Sequence, residues 1–263
     1  MCPLNDTFGF SRPMKIQLEY NSGKVTADLS LPIDISLCLS AGEQNVNAYY
    51  IPPPVFEPFR VGGFVGSVAL GGACNCENIV FNAHGNGTHT ECVGHISKER
   101  ITINSCLKKF FFISQLLSVR TEKIDNGDHI ITRESVERQL DKSGVEALLI
   151  RTLPNDASKK SRQYSGSNPP YLEPELCKML VEKGIRHLLI DLPSVDREED
   201  GGELLAHHAF WNYPAAPRMD CTITELTFVP DEVKDGTYLL NIQIASFESD
   251  ASPSKPVLYA ISG

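Results

Sequence analysis

Several protein classes are excluded by what this 263-residue chain lacks. No stretch approaches the roughly 20 apolar residues that cross a bilayer as a helix, so no membrane partner is expected. Met1 to Phe10 carry neither a basic patch nor a long apolar run, so the start does not read as a signal peptide and a cytoplasmic protein is expected. Lys and Arg number 24 against 33 Asp and Glu, and they form no run. A surface of net charge −9 repels a phosphate backbone, so nucleic acid is not an expected partner. The chain also lacks a Gly-x-Ser-x-Gly elbow, a His-Glu-x-x-His pair and a phosphate-cradling Gly-x-x-x-x-Gly-Lys. Its cysteines (Cys2, Cys38, Cys74, Cys76, Cys92, Cys106, Cys177 and Cys221) are irregularly spaced. Cys74-x-Cys76 has no second pair at zinc-site spacing, so the expectation is free thiols in a reducing compartment.

What is present is ordinary globular sequence: 41% hydrophobic and 22% charged residues, enough to bury one large core. Residues 1–13 read as a loose polar leader and 14–263 as a single domain. Lys15 to Tyr20 alternates as a strand, and Asn21-Ser22-Gly23-Lys24 reads as the turn before a second strand over Val25–Leu29. Ile33, Ile35, Leu37 and Leu39 alternate with polar residues as a half-buried strand should. Residues 40–60 form a Pro-, Asn- and Tyr-rich loop, and loops of this length are often functional. Gly-rich sequence from Val61 to Ala73 then precedes a short apolar strand over Ile79–Phe81. In the second half, Thr132 to Leu140 reads as a helix with Thr132 or Ser135 near its cap, and Ala147–Ile150 is a buried strand. Asn155–Pro170 reads as a mobile loop. A helix then runs from Pro174 to Gly184, ahead of a strand over His187–Ile190. This strand–helix–strand order predicts a βαβ unit within an α/β fold.

The chemistry concentrates in two windows. His84-Gly85-Asn86-Gly87-Thr88-His89-Thr90-Glu91-Cys92-Val93-Gly94-His95 places three imidazoles and a carboxylate among three glycines. The second window is His207-His208, with Glu225 further on. Imidazole nitrogen and carboxylate oxygen are the usual donors to zinc or manganese. Glycine lets the backbone turn so that separated donors converge. His89 and Glu91, two apart, share a face in extended chain. One metal can take His84, His89 and Glu91, and a bridging carboxylate with His207 and Glu225 can hold a second. His129 and His187 have no such company and read as structural, and His208 is ambiguous. Cys92, beside Glu91, has two readings, a Cys–His nucleophile or thiol packing beneath the site; the second is preferred.

Gly87-Thr88-His89-x-Glu91-x-x-x-His95 resembles the signature of the cyclase family, which includes bacterial kynurenine formamidases and isatin hydrolases. The resemblance extends to Asp34-Ile35-Ser36, to Ala147–Thr152 and to Gly184–Asp196. It continues in Ala206-His207-His208-Ala209, in Glu225 and in Asp250-Ala251-Ser252-Pro253. It implies a mixed β-sheet core with flanking helices (a swivelling β/β/α type) and a homo-oligomer, dimer or tetramer. It implies His89 as a metal ligand, Glu91 as the bridging acid, and His207 and Glu225 as distal ligands. His95 falls in place of the histidine that moves the proton.

This chain departs from the family pattern at the metal site. Gly85 stands where the first histidine belongs, so His84 ligates only if the chain bulges at Gly85 or Asn86. Glu91 replaces Asp, Val93 replaces Pro, and the interval from His207 to Glu225 is longer. The expectation is a hydrolase of an amide, formamide, lactam or ester bond in a small molecule. It would use one or two divalent ions (zinc, or manganese) whose bound hydroxide attacks the carbonyl. Tyr49 and Tyr50 would shape the substrate end. The alternatives are a metal-poor relative that only binds a small molecule, and a metal-dependent lyase or isomerase.

Overall fold

The computed structural model of the protein describes residues 12–141 and 144–263. The leader expected over 1–13 therefore lies outside the described residues as far as residue 11. Strands β1 (Lys15–Tyr20) and β2 (Gly23–Asp28) form a hairpin, and Asn21 and Ser22 both adopt the positive φ of a two-residue turn. Strand β3 (Ile33–Asp34) is shorter than the alternation to Leu39 predicts. Asp34 Oδ1 accepts from the Ser36 backbone N–H at 2.9 Å and from its hydroxyl at 2.6 Å, which turns the chain away from the sheet.

Residues 55–80 fold mainly on themselves. Strand β4 (Val55–Pro58) pairs with β7 (Glu77–Val80), and β5 (Arg60–Val61) pairs with β6 (Phe64–Val65) between them. The apolar strand expected at Ile79 exists, but Ile79 and Val80 are 48% and 66% exposed. The chain then enters β8 (His89–Cys92), α1 (Ile103–Cys106), β9 (Phe111–Arg120), β10 (Glu122–Lys123) and β11 (His129–Ile131). Helix α2 (Arg133–Glu137) takes Thr132, the first of the two expected caps, whose hydroxyl accepts from the Ser135 N–H, and it stops short of the expected Leu140. After it come β12 (Ala147–Leu153), β13 (Tyr171–Leu172), α3 (Pro174–Glu182), β14 (His187–Ile190), α4 (Leu205–Trp211), β15 (Thr222–Glu225), β16 (Gly236–Ile244) and β17 (Ala251–Ser262).

The fold is the expected mixed sheet with flanking helices, and the sheet closes. Strands run in the order β17-β16-β9-β12-β14-β15-β8, and β8 pairs back onto β17. Strands β9, β12, β14 and β15 are mutually parallel. The predicted βαβ unit is β12–α3–β14. Its strands are apolar on both faces, as a doubly covered parallel strand must be. Leu148, Ile150, Leu188 and Ile190 point outward into a core with Leu176, Met179, Leu180 and Trp211 from α3 and α4. Ala147, Leu149 and Leu189 point inward to Leu116, Leu240 and Leu258. Each such Leu or Ile contributes roughly 1.5–3 kcal/mol by burial.

The loop expected to be mobile over Asn155–Pro170 is anchored instead. The Lys159 ammonium is buried and donates to Asp191 Oδ2 at 2.8 Å and to the Thr152 carbonyl at 2.7 Å. Tyr164 is 2% exposed. Of the described cysteines, Cys74, Cys76, Cys92, Cys106, Cys177 and Cys221 are free as expected, whereas Cys38 is disulfide-bonded.

Candidate metal centre

Strand β8 lies between β15 and β17, and its side chains alternate. His89 and Glu91 point to one face and are fully buried. Register places Glu225 directly across from His89 on β15, and Ala251 across from Glu91 on β17. Asp250 thus arrives at the lip of the same face. Helix α4 brings His207 to the other side of Glu91. The four other predicted metal-site residues therefore converge with His95 around the buried Glu91 carboxylate.

The displaced first histidine is accommodated by the backbone. A Cβ at Gly85 would lie 2.4 Å from Ile51 Cδ1 and 2.9 Å from the Ala48 carbonyl oxygen, so no side chain fits there. Asn82 and Asn86 clamp the turn: the Asn86 N–H donates to the Asn82 carbonyl, and the Asn86 side-chain oxygen accepts from the Asn82 N–H. The turn delivers His84 to the position from which Nδ1 stands 3.1 Å from Glu91 Oε2. The displacement of His84 is thus absorbed in the Asn82–Asn86 turn.

Three imidazoles are oriented alike. His84 Nε2 donates to Asp250 Oδ2 at 2.8 Å, His89 Nδ1 to the Gly87 carbonyl at 3.0 Å, and His207 Nδ1 to Asp196 Oδ2 at 2.6 Å. A carboxylate or carbonyl oxygen only accepts, so each of these nitrogens carries the hydrogen. The opposite nitrogen of each ring faces the buried acids. His84 Nδ1 faces Glu91, His89 Nε2 lies 3.4 Å from Glu225 Oε2, and His207 Nε2 lies 3.1 Å from Glu91 Oε1. His89 Nε2 and Glu91 Oε2 are buried without a hydrogen-bond partner; the 3.1 Å approach of His84 to Glu91 Oε2 lacks hydrogen-bond geometry. Buried polar atoms of this kind are costly unless something binds them. Imidazole lone pairs and carboxylate oxygens facing a shared space fit a divalent cation, with His–carboxylate pairs supporting the ligands from behind.

The electrostatics agree. Burial opposes charge on His84, but Asp250 and Glu91 overcome it and hold its pKa up at about 10. His207 is likewise opposed by burial and raised to about 10 by Asp196 and Glu91. Burial pushes the Glu91 carboxyl up, and the surrounding His95, His207 and His84 pull it well below its ordinary value. His84 and His207 thus carry protons that balance the acids.

Backbone strain gathers around the same place. Leu226, just after Glu225, has φ +53°, and Leu204, which starts α4, has φ +46°. Leu204 offers no side-chain cap, and the Asp196 carboxylate takes that role by accepting from the Ala206 and His207 N–H groups. Tyr49 and Tyr50 also have positive φ. The Tyr49 hydroxyl donates to the Pro193 carbonyl at 2.5 Å, while the residue as a whole is 36% exposed. Burial of that hydroxyl, with the Glu225 charge nearby, pushes its pKa well up. Tyr50 turns instead towards Ser165 and Gly166 and is 73% exposed.

His95 lies at the lip, with Nδ1 3.3 Å from Asp250 Oδ2 and 3.7 Å from Glu91 Oε2. His208 faces away, its Nδ1 bonded to the Tyr213 carbonyl, and His187 is buried against Thr222. Cys92 is fully buried on the opposite face of β8 from Glu91, which supports thiol packing over a nucleophile. Sequence reasoning missed Asp196 and Asp250 as members of the site. Both lie inside stretches that carry the family resemblance, which was the available signal.

Comparison with known proteins agrees with this geometry. A family model described as "Putative cyclase" matches residues 27–197. The chain belongs to this cyclase family. Kynurenine formamidase of Bacillus thuringiensis (strain Al Hakam) is 30% identical over 195 residues, covering 72% of this cyclase and 82% of the relative. The enzyme of the same name from Bacillus cytotoxicus is 29% identical over 189 residues, with 71% and 81% covered. Among solved structures, a potential metal-dependent hydrolase with cyclase activity matches with a TM-score of 0.62 at 16% identity, over 87% of this chain and 97% of the other. Isatin hydrolase A from Labrenzia aggregata matches at 0.61 and 14%, over 88% and 93%. These last two show a shared fold.

Proposed function

We propose that this cyclase is a divalent-metal hydrolase of a carbon–nitrogen bond in an amide or formamide, with lactams and esters as related substrates. The observation that carries the reading is the common orientation of His84, His89 and His207. Each has one nitrogen hydrogen-bonded from behind and the other turned to the buried Glu91 or Glu225. His84, His89 and Glu91 would hold one ion, and Glu91, His207 and Glu225 a second. Mixed nitrogen and oxygen donors favour zinc or manganese. Such an ion lowers the pKa of its bound water towards neutrality and polarises a carbonyl.

The chain's own residues supply the rest. His95 stands at the accessible lip, its side chain 28% exposed. Asp250 holds its Nδ1 side, which leaves Nε2 to exchange a proton with the leaving nitrogen. The Tyr49 ring, fixed through its hydroxyl, is the proposed wall for the substrate; Tyr50 is the weaker candidate because its hydroxyl lies against Gly166. His95→Ala should retain bound metal while turnover of a formamide falls about 10²–10⁴-fold. Unchanged turnover would remove His95 from the reaction. Incorporation of solvent ¹⁸O into the product distinguishes hydrolysis from a lyase or isomerase.

We also infer a homo-oligomer, dimer or tetramer. The excursion over residues 55–80 exposes Val55, Val61, Val68, Leu70, Ile79 and Val80 and runs directly into the His84 turn. A second copy seated on this apolar arm would cover it and narrow the open lip at His84 and His95. Light scattering of the purified protein tests this; a monomer at micromolar concentration rejects it. The free thiols, Cys38 aside, favour a cytoplasmic location.

A further inference from the structure

Behind the metal centre, two thiols meet in the barrel interior. Cys92 ends β8, one residue after Glu91, and Cys106 ends α1. Helix α1 packs against β8, and both cysteines belong to the buried cluster that contains Leu116 and Leu149. Cys92 is sealed, whereas Cys106 lines a cavity of about 210 Å³ together with Lys108, Lys109, Phe112, Arg186 and His187. Lys108 and Lys109 are exposed at this cavity, and Asp220, one of its two acids, is paired with Arg186. The pair therefore combines an inner thiol, an outer thiol and a route to the outer one with cations beside it.

We propose that Cys106 and Cys92 form a thiol modification site for small carboxylate-bearing disulfides, ending in a Cys92–Cys106 disulfide. The Cys106 thiolate attacks one sulfur of the small disulfide. A bond forms between Cys106 and that sulfur, the original S–S bond breaks, and the other half leaves as a thiolate that takes up a proton. Cys92 then loses its proton and attacks Cys106 Sγ, which expels the second half as a thiol. Two protein thiols are oxidised by two electrons, and one small disulfide is reduced to two thiols.

Cys106 is the thiol suited to begin. It lines the cavity, whereas Cys92, Cys177 and Cys221 are buried and do not line it. The location gives the bond a consequence. Helix α1 is tied to the segment carrying Asp250, because the Ile103 N–H donates to the Ser249 carbonyl at 2.7 Å and Asn104 donates to Glu248 at 2.6 Å. A disulfide would lock that helix to the back of the strand that carries His89 and Glu91.

The test uses the intact protein with dithiodiglycolate at neutral pH, followed by acid quenching, alkylation and peptide mapping. The expected product is a Cys92–Cys106 linked peptide that dithiothreitol reverses. Cys106 should be modified at least about tenfold faster than Cys177 or Cys221. Cystamine, which is cationic, should react more slowly than dithiodiglycolate. Cys92→Ser should stop at a mixed disulfide on Cys106, and Cys106→Ser should leave Cys92 unmodified. Mapping of the unmutated protein decides even if a variant misfolds. If Cys92 and Cys106 remain alkylatable while Cys74 and Cys76 take up the reagent, the proposal is wrong. Modification of Cys92 at an unchanged rate in Cys106→Ser also rejects it.

Discussion

Asp196 and His207 are joined twice: one carboxylate oxygen accepts both the ring Nδ1–H at 2.6 Å and the backbone N–H at 3.1 Å. The other oxygen accepts the Ala206 N–H at 2.6 Å. A single side chain therefore caps α4 and sets which His207 nitrogen faces Glu91. Asp196→Asn replaces one acceptor with a donor and should weaken zinc binding about 10–100-fold. Competition against a chromogenic chelator measures this. Unchanged affinity would mean that His207 is positioned by other contacts.

Gly85 is the second lever, and it acts through space. The Ile51 side chain and the Ala48 carbonyl occupy the volume a methyl group would need, so Gly85→Ala must push the His84 turn outward. The expected cost is about 1–3 kcal/mol in chemical unfolding, with weaker metal binding because His84 leaves Glu91. A variant with normal stability and affinity would show that the turn yields freely and that Gly85 does not fix His84.

The site's protons should appear in a metal titration. In the metal-free protein His84 and His207 hold their protons up to about pH 10, so both are charged at pH 8. A cation must take the nitrogen that carries the extra proton on each ring. Metal uptake near pH 8 should therefore release about two protons, and apparent affinity should rise with pH up to about pH 10. Calorimetry in buffers of different ionisation enthalpy counts them. Uptake without proton release would place the ion away from these two histidines.

The sequence made part of this arrangement visible because part of it is local. His89 and Glu91 sit two apart on an extended strand, which fixes their shared face before any tertiary contact forms. The helix at Pro174 and the buried strands at Ala147 and His187 were equally legible from spacing and caps. The closure of the barrel was not, since it depends on Thr90 of β8 meeting Ser252 of β17 far along the chain. The two supporting acids were hidden for the same reason. Asp196 and Asp250 are two of 33 acidic residues, and apart from the family resemblance of their stretches no spacing or pattern distinguishes them from solvated ones. The Asn155–Pro170 loop misled in the opposite direction. Its polar composition predicted mobility, but the partner that holds Lys159 is Asp191, on the far side of α3. The strand expected over Ile33–Leu39 failed for a local reason, the Asp34–Ser36 turn.

The central claim is that the convergent histidines and acids hold a catalytic cation. Metal analysis by plasma mass spectrometry, on protein purified without chelators or a metal-affinity column, tests it most directly. The account predicts about one to two equivalents of zinc or manganese per chain, lost in Glu91→Ala because that carboxylate stands between His84 and His207. No metal in the native protein, and none taken up on titration, would contradict it.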